Sequence, residues 1–268
     1  MAMPDATSQI DLARRLEQSI SLAPMPTGTG IESVSCGTFR AWFTSYTNNP
    51  QANYAMPVTP TEPAALGEAV DALRTLFAAR ARKVRVEFVE ELWPGLAEAL
   101  QRSGLHLQAR EPLMACVNSE FEPASAPRVS VRLLSADGSD SDLAAYLHIA
   151  GERPADASRP ISDKAVALLR ETLNSGNTTC AIGTIDARAA AVGRSIAQDD
   201  GLGEITSIVT LPEFRRRGAA ATVVSLLLRG LFASGRNIGW LNAANEEARS
   251  VYAKLGFRSI GSLLNYEE

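Results

Sequence analysis

The most informative segment of this chain is an apolar run that leads through a proline and a basic loop into small residues: Ile208-Val209-Thr210-Leu211-Pro212-Glu213-Phe214-Arg215-Arg216-Arg217-Gly218-Ala219-Ala220. This order predicts a strand, a turn and the start of a helix. A helix start carries unpaired N–H groups and a partial positive charge, so three adjacent arginines there oppose the helix dipole unless an anion is bound. The small residues would let a phosphate group approach those N–H groups. The segment predicts a phosphate-binding loop, with a solvated arginine cluster as the alternative.

Strands and helices alternate on both sides of this loop. The predicted strands are 129–133, 178–185, 189–196, 204–210, 238–242 and 258–266, and the predicted helices are 142–150, 163–174, 218–233 and 246–255. A hairpin of strands, followed by strands that alternate with helices, indicates a mixed central β-sheet flanked by helices. The predicted fold class is therefore α/β (α+β).

The first half of the chain repeats part of this order. A helix at 66–81 is followed by a strand at 84–89, a helix at 94–102 and a strand-like stretch at 104–117. When the two halves are shifted by 152 residues, Gly104 falls on Gly256 and the element order agrees. The pattern predicts a tandem protein with an incomplete N-terminal copy.

A polar segment with two prolines separates the two halves. Glu122-Pro123-Ala124-Ser125-Ala126-Pro127 cannot continue a helix and rarely lies within a sheet. We therefore predict an N-terminal domain at 1–120, a linker at 121–128 and a C-terminal domain at 129–268.

Composition excludes several classes of protein. The 268 residues carry a formal charge of −4 and are 46% hydrophobic, which is typical of a globular protein and argues against broad neutralisation of nucleic-acid phosphates. No apolar run approaches the roughly 20 residues of a membrane helix. The three cysteines, Cys36, Cys116 and Cys180, are far apart, which predicts reduced, buried thiols and no metal site. With no signal peptide recognisable, we expect a cytoplasmic protein that binds neither nucleic acid nor membrane.

The basic loop fits neither of two common phosphate-binding motifs. It is not GxxxxGK[ST], and a dinucleotide fingerprint requires GxGxxG. Arg215-x-x-Gly218-x-Ala220 instead resembles the signature with which the GNAT superfamily of N-acetyltransferases binds the pyrophosphate of acetyl-coenzyme A. Further along, Asn245-x-x-Ala248-x-x-x-Tyr252-x-x-x-Gly256-Phe257 resembles the C-terminal motif of that family. The resemblance covers 129–268 well and the first half weakly.

This resemblance implies a donor site. Arg215, Arg216, Arg217, Gly218, Ala219 and Ala220 would bind the pyrophosphate, and the backbone of Ile208, Val209 and Thr210 would pair with the pantetheine arm. Such pairing requires the neighbouring strand to separate from this one and leave an open edge. Asn245 would contribute to the donor site, with a helix N-cap as its alternative role. Ala220 stands where many relatives carry glycine, and its side chain is still small.

The resemblance also implies two catalytic residues. Tyr252 would protonate the departing thiolate, with a buried core aromatic as the alternative. Glu204 would serve as the general base, with a solvated carboxylate as the alternative. In a regular strand Glu204 shares a face with Thr206, Ile208 and Thr210.

The first half lacks these residues. Trp93 and Leu100 fall on Asn245 and Tyr252, and Pro60-Thr61-Glu62-Pro63 stands where the arginine loop would be. We expect this half to cap the catalytic half or to shape its acceptor pocket. The aromatic residues Trp42, Phe43, Tyr46 and Tyr54 are predicted to pack in a core, or else to line an acceptor groove.

The sequence thus predicts an N-acetyltransferase that moves an acetyl group from acetyl-CoA to an amine of a small molecule or peptide. The amine would attack directly in a ternary complex, with no metal and no covalent enzyme intermediate. Two alternatives stay open: a transferase for longer acyl-CoA donors, and a non-catalytic acyl-CoA sensor or scaffold. Open sheet edges would permit a homodimer.

Overall fold

The computed structural model describes residues 6–21, 31–45, 48–62, 65–151 and 161–268. These residues form two compact units, each described separately below. The C-terminal unit comprises Met114–Arg258, and the N-terminal unit comprises Pro4–Leu113 together with Ser259–Glu268.

The helices and strands of the described residues alternate along most of the chain. The helices are α1 (Ala6–Ser21), α2 (Leu66–Ala78), α3 (Leu96–Arg102), α4 (Asp140–Gly151), α5 (Asp163–Asn174), α6 (Ala219–Ala233) and α7 (Glu246–Ala253). The strands are β1 (Ile31–Cys36), β2 (Phe39–Thr44), β3 (Tyr54–Pro57), β4 (Arg85–Val89), β5 (His106–Val117), β6 (Val129–Leu133), β7 (Thr178–Ile185), β8 (Arg188–Ala197), β9 (Leu202–Thr210), β10 (Ile238–Asn242) and β11 (Arg258–Glu267). From β6 onward, the bounds lie within about two residues of those predicted from the sequence.

The C-terminal unit is built on a sheet in the order β10-β9-β8-β7-β6. The strands β6 to β9 form an antiparallel ladder, and β10 joins β9 in parallel. Parallel neighbours need a crossover connection, which α6 supplies. Consequently β9 and β10 end at the same edge of the sheet, and α6 begins just beyond the end of β9.

Glycines on four strands let α6 lie close to one face of this sheet. A Cβ atom at Gly193 would lie 2.8 Å from Cγ1 of Val223, and one at Gly239 would lie 2.3 Å from Cδ2 of Leu228. Gly183 and Gly203 stand in the same way beneath α6 on β7 and β9. A larger residue at these positions would have to displace the side chains of α6 that lie against the sheet.

The helices α4 and α5 cover the opposite face. Leu143 and Tyr146 of α4 pack in one buried cluster with Cys180 of β7 and Val192 of β8. Since side chains alternate along a strand, Gly193 faces α6 while its neighbour Val192 faces α4. Successive residues of β8 therefore face α6 and α4 in turn.

The N-terminal unit has the same order of elements as the second half. Its sheet runs β1-β2-β3-β4-β11, with β3 parallel to β4 and joined to it through α2. The first residues of α2, β4, α3 and β5 fall within about two residues of those of α6, β10, α7 and β11 after the 152-residue shift. Gly104 and Gly256 follow α3 and α7 with left-handed backbone, at φ +82° and +94°. Trp42 and Tyr54 stack on each other within this unit with ring centroids 5.3 Å apart, and Tyr46 lies outside the described residues.

The last strand belongs to the N-terminal unit. β11 pairs antiparallel with β4, and its Leu264 and Tyr266 pack in the same cluster as Phe88. The sequence placed 258–268 in the C-terminal domain because these residues directly follow the last helix of that half. The compact units differ from that division because strand pairing is a non-local contact that no local pattern reports.

The segment predicted as a linker packs within the C-terminal unit. The Ala124 N–H donates to Ser225 Oγ on α6 at 2.8 Å, and the Glu122 N–H donates to the Leu255 carbonyl at 3.1 Å. A Cβ atom at Gly218 would lie 2.6 Å from Cβ of Ala126. This segment therefore packs beside the first turn of α6.

A buried ion network joins β4 to β11. The Arg85 side chain is 10% exposed, its Nε donates to Glu87 Oε1 at 2.6 Å, and it also pairs with Glu267. Its Nη2 donates to Asn265 Oδ1 at 2.7 Å. The carboxylates of Glu87 and Glu267 thus offset the free-energy cost of burying the Arg85 guanidinium.

A buried carboxylate holds α1 against the rest of the N-terminal unit. Glu17 is 4% exposed and accepts hydrogen bonds from the Val89 N–H at 2.8 Å and from Trp93 Nε1 at 2.7 Å. Burial raises the pKa of Glu17 to about 7, although the two hydrogen bonds and Arg14 oppose this shift. The folded protein therefore keeps a proton on Glu17 at pH values where the unfolded chain has lost it.

The stability of the N-terminal unit is expected to fall as pH rises from about 4.5 to about 7. Because the pKa of Glu17 is higher in the folded state, the proton-linked stabilisation is complete below pH 4.5 and is lost as the pH passes about 7. The full loss is about 3 kcal/mol. Urea unfolding at a series of pH values measures this slope. Glu17→Gln, which cannot ionise, should flatten it, and an unchanged slope would mean that another group titrates.

The fold class predicted from the sequence is confirmed: in each unit a mixed sheet carries helices on its faces, and the two halves share one element order. Within the described ranges, none of the helices has the length and apolar character needed to cross a bilayer.

Candidate functional site

The basic loop leads into the start of α6, as the sequence predicts. A short 3-10 turn at Pro212–Phe214 follows β9, and Gly218 precedes the first helical residue. Arg216 and Gly218 have left-handed backbone, with φ +58° and +81°. The first helical hydrogen bond runs from the Thr222 N–H to the Gly218 carbonyl at 3.0 Å, and no side chain of the described residues caps the helix. The N–H groups of the first turn therefore have no partners inside the helix, which favours an anion there.

The three arginines of this loop are exposed to solvent. Arg215 Nε donates to the Thr210 carbonyl at 3.3 Å, and Arg217 Nη2 lies 3.3 Å from Asp186 Oδ2. The side chains of the Arg217–Asp186 pair are 39% and 62% exposed. Such an exposed pair contributes at most about 1 kcal/mol, so a bound diphosphate can compete with Asp186 for this guanidinium.

The strands β9 and β10 separate beside this loop. Their parallel register covers three residue pairs and ends where Glu204 faces Trp240. Beyond Glu204, β9 continues to Thr210 paired with β8, on its other side. The open edge that the resemblance required is therefore present, and Glu204 stands where the two strands part.

A β-bulge interrupts β9 next to this opening. The register with β8 moves from Arg194↔Thr206 to Val192↔Val209, so β9 contains one extra residue in this interval. Ser207 lies in the bulge and has left-handed backbone, with φ +53°. A bulge leaves one residue unpaired and turns the following side chains over.

The bulge corrects one prediction made from the sequence. A regular β9 would place Glu204, Thr206, Ile208 and Thr210 on one face. Instead Ile208 packs in the cluster beneath α6, whereas Val209 packs in the cluster beneath α4. The prediction is wrong for Ile208 and for Thr210, whose register partner Ala191 lies in the cluster beneath α6, because the extra residue shifts the alternation of β9 by one position.

Two buried oxygens mark the ends of the separating strands. Thr210 Oγ1 closes β9 and Asn242 Oδ1 closes β10, and neither has a hydrogen-bond partner among the described residues. Buried polar atoms in proteins nearly always have partners, so an unpartnered pair at one edge favours a polar ligand. Together with the uncapped start of α6, these atoms place groups that can bind a polar or anionic ligand at one edge of the sheet.

Tyr252 lies on α7, which begins after the end of β10. Its side chain is 7% exposed and packs against Phe257, with ring centroids 6.0 Å apart. No side chain or backbone group of the described residues forms a hydrogen bond with its hydroxyl. Burial raises the pKa of Tyr252 to about 12, so the hydroxyl is protonated at neutral pH.

Asn245 caps α7. Its Oδ1 accepts a hydrogen bond from the Ala248 N–H at 2.9 Å, which is the alternative role that the sequence indicated. Its contribution to donor binding stays a prediction.

The N-terminal unit has a cleft at the corresponding position, but different residues line it. β3 and β4 share one parallel pair, Ala55↔Val86, and then separate. A cavity of about 100 Å³ there includes Thr61 and Trp93, and its described lining contains no arginine. Leu100, at the position of Tyr252, is fully buried. This unit therefore has the architecture of the site without its charged loop or its tyrosine.

The described side chains contain no group of three or more His, Cys, Asp or Glu arranged to hold a metal ion. Cys116 and Cys180 are buried, and burial raises the pKa of Cys116 to about 12. A thiol with such a pKa is a poor nucleophile at neutral pH, in keeping with the packing role predicted from the sequence.

Part of the C-terminal unit matches a known family. Residues 182–265, which include β9, the basic loop, α6 and α7, match the family model described as FR47-like protein. No curated protein matches the chain.

Solved structures resemble the whole chain. A GCN5-related N-acetyltransferase from Kribbella flavida has a TM-score of 0.74 at 23% identity, over 100% of this chain and 96% of that one. A GCN5-related N-acetyltransferase from Sphaerobacter thermophilus has a TM-score of 0.65 at 14% identity, over 99% and 93%. A tandem GNAT protein from the clavulanic acid biosynthesis pathway has a TM-score of 0.62 at 15% identity, over 98% and 94%.

The chain therefore has the GNAT fold, which is the fold that the resemblance of its motifs predicted. The neighbours include a tandem member, in agreement with the repeated element order of the two halves.

Sequence reasoning missed two residues beside the opening. Ser207 sits in a bulge that alternation alone does not reveal. Asn242 becomes relevant only because β10 lies parallel to β9. For Asn242 a signal was present, because a polar residue at the end of an apolar strand often lies at a binding edge.

Proposed function

We propose that this protein is an acyl-coenzyme A-dependent N-acyltransferase that moves an acetyl group from acetyl-CoA to an amine. One observation carries the proposal: the uncapped start of α6 and the opening between β9 and β10 lie at the same edge of one sheet. An anion site next to an unpaired strand edge suits a ligand with a diphosphate at one end and an amide-bearing arm at the other. The GNAT fold supports acyl transfer in general.

The residues that would hold the donor follow from this placement. The N–H groups of Gly218, Ala219 and Ala220, with Arg215 to Arg217, would bind the diphosphate. The backbone of Ile208 to Thr210 would pair with the pantetheine arm. The bound thioester supplies an electrophilic carbonyl carbon and a sulfur leaving group.

Glu204 would take a proton from the acceptor. An alkylamine has a pKa of about 10.4, so its neutral form costs about 4.6 kcal/mol at pH 7. Glu204 stands at the last β9–β10 pair, where the opening begins, and its carboxylate can remove that proton directly or through a water molecule. The neutral amine then attacks the thioester carbonyl.

Tyr252 would stabilise the leaving sulfur by a hydrogen bond. A thiol has a pKa of about 8.5, so complete proton transfer from a tyrosine whose pKa is about 12 is uphill by about 5 kcal/mol. We therefore assign the hydroxyl as a donor to the developing thiolate. The N–C bond forms and the C–S bond breaks. The proton lost by the attacking nitrogen would reach the thiolate through water, and the proton that Glu204 first took from the ammonium group would be released to solvent.

The proposal is tested by thiol release from acetyl-CoA across a panel of amines, with thermal stabilisation by coenzyme A measured in parallel. We expect stabilisation by coenzyme A and thiol release with at least one amine. Stabilisation without thiol release would favour a sensor or scaffold, and a faster reaction with longer donors would favour another acyl group. Neither stabilisation nor thiol release would contradict both the donor site and the reaction.

Charge reversal in the basic loop should weaken donor binding. The double variant Arg215→Glu, Arg217→Glu is expected to lower coenzyme A affinity by about 100-fold, because two charge-assisted contacts to phosphate become repulsive. The salt dependence of binding should also decrease. Isothermal titration at two salt concentrations measures both effects.

Arg229→Glu is the matched control, since Arg229 is an exposed arginine further along α6. It should leave coenzyme A affinity within about twofold, because its charge lies away from the first turn of the helix. Equal losses in the control and the double variant would mean that net charge, rather than the loop, governs binding.

A further inference from the structure

The α4 face of the C-terminal sheet carries a guanidinium that the donor site does not use. Arg194 of β8 pairs in register with Cys180 on β7 and with Thr206 on β9. Cys180 and the neighbouring Val192 both pack with α4. Gly193 faces α6, so Arg194 projects from the α4 face, on the same side as Cys180 and Thr206.

Arg194 lacks the carboxylate partners that Arg85 has. Its Nε is buried and has no hydrogen-bond partner among the described residues, and none of the ion pairs that they form involves it. In contrast, Arg85 pairs with Glu87 and Glu267. Among the described residues, the Tyr146 hydroxyl and the Cys180 thiol interact electrostatically with Arg194, and both are neutral at pH 7 because burial raises their pKa values. A buried guanidinium N–H without an acceptor is unfavourable, and a carboxylate oxygen of a ligand would supply the missing acceptor.

The predicted base lies on the same face of the sheet. Glu204 is two residues from Thr206, the register partner of Arg194, so Arg194 and Glu204 are diagonal neighbours across β8 and β9. Diagonal neighbours have side chains about 7–8 Å apart at their bases, within reach of one small molecule. The carboxylate of Glu204 suits an ammonium group, and the guanidinium of Arg194 suits a carboxylate.

We propose that Arg194 binds a carboxylate of the acceptor, and that the acceptor is an amine of the amino-acid type. A planar guanidinium binds a carboxylate through two parallel hydrogen bonds, which would orient the amine towards Glu204 and the thioester. This inference rests on the proposed function, because it concerns the acceptor of the same reaction. Arg194 is thus a specificity-determining residue.

The test compares acceptors that differ in the carboxylate. Free phenylalanine and leucine are each measured against the carboxamide and the decarboxylated amine, with saturating acetyl-CoA and thiol release as the readout. The protein should prefer the amino acid by about 30-fold or more in kcat/KM over both analogues. The two analogues lack the carboxylate but differ from each other in the pKa of the amine. A preference for the amino acid over both therefore reports the carboxylate and not the basicity of the amine.

Arg194→Gln should abolish this preference, and Arg194→Lys should restore part of it, because lysine keeps the charge without the planar fork. Arg132→Gln is the control, since Arg132 in the same unit already pairs with Asp142 and should leave the preference unchanged. Thermal stabilisation by coenzyme A verifies that each variant retains the donor site.

The outcomes separate this inference from the proposed function. Equal rates for amino acids and their uncharged analogues, or a preference that persists in Arg194→Gln, would overturn the assignment of Arg194 while the transferase activity stands. Absence of coenzyme A binding together with absence of thiol release would overturn the proposed function and this inference with it.

Discussion

Tyr252→Phe is expected to lower kcat by about 10²-fold or more while coenzyme A affinity stays within about twofold. The substitution removes the hydroxyl proposed to stabilise the leaving thiolate and keeps the ring that packs against Phe257. Since no described residue forms a hydrogen bond with this hydroxyl, its removal should leave the free energy of unfolding nearly unchanged. Steady-state kinetics, titration with coenzyme A and urea unfolding measure the three quantities.

Tyr266→Phe provides the matched control. Tyr266 is buried in the N-terminal unit, and its hydroxyl accepts a hydrogen bond from Gln101 Nε2 at 3.0 Å. Loss of this hydrogen bond should lower the free energy of unfolding by about 1 kcal/mol and leave kcat unchanged. Full activity in Tyr252→Phe would remove the tyrosine from the mechanism and leave it as a core aromatic, the alternative that the sequence left open.

Gly256→Ala should destabilise the C-terminal unit by more than about 4 kcal/mol. Gly256 has φ +94°, and a Cβ atom there would lie 2.0 Å from the carbonyl oxygen of Glu120 and 3.4 Å from Cys116 Sγ. The clash is with backbone, which cannot rotate away. Either the 118–121 segment or the end of α7 must then move, so the variant should also lose coenzyme A binding. Urea unfolding and thermal stabilisation by coenzyme A measure these effects.

Gly235→Ala separates the clash from the backbone strain. Gly235 lies in the same unit with φ +89°, and a Cβ atom there would have no described atom of another segment within 4 Å. This variant bears only the cost of a left-handed alanine, about 1–2 kcal/mol. Similar losses of stability in the two variants would mean that contact with Glu120 is relieved at little cost.

The order of elements in the C-terminal half could be read from the sequence because its signals are local. The strands 129–133, 178–185 and 238–242 have the predicted bounds, and α6 begins one residue from the predicted start. Alternation marked the strands, and Gly218 marked the turn into α6. The first hairpin of the N-terminal unit, β1 with β2, was missed because its residues were read only as an aromatic-rich stretch.

The candidate site was predictable in part. The basic loop, Glu204 and Tyr252 were predicted from motifs and their spacing along the chain, and their roles stay predictions. The face reached by Ile208 could not be predicted, since one extra residue in β9 reverses the alternation. The partner of β11 was equally hidden, because β4 lies more than 160 residues earlier in the chain.

By itself, the sequence determined the helices and strands of the second half, the uncapped glycine start of α6 and the family resemblance, since each depends on neighbours a few residues apart. Only the tertiary structure decided that β9 and β10 separate at Glu204, that a bulge at Ser207 turns Ile208 towards α6, and that the Arg194 Nε is buried without a partner among the described residues. These features arise from pairing and packing between distant segments. Strand register and desolvation are properties of the assembled sheet, and no local pattern encodes them.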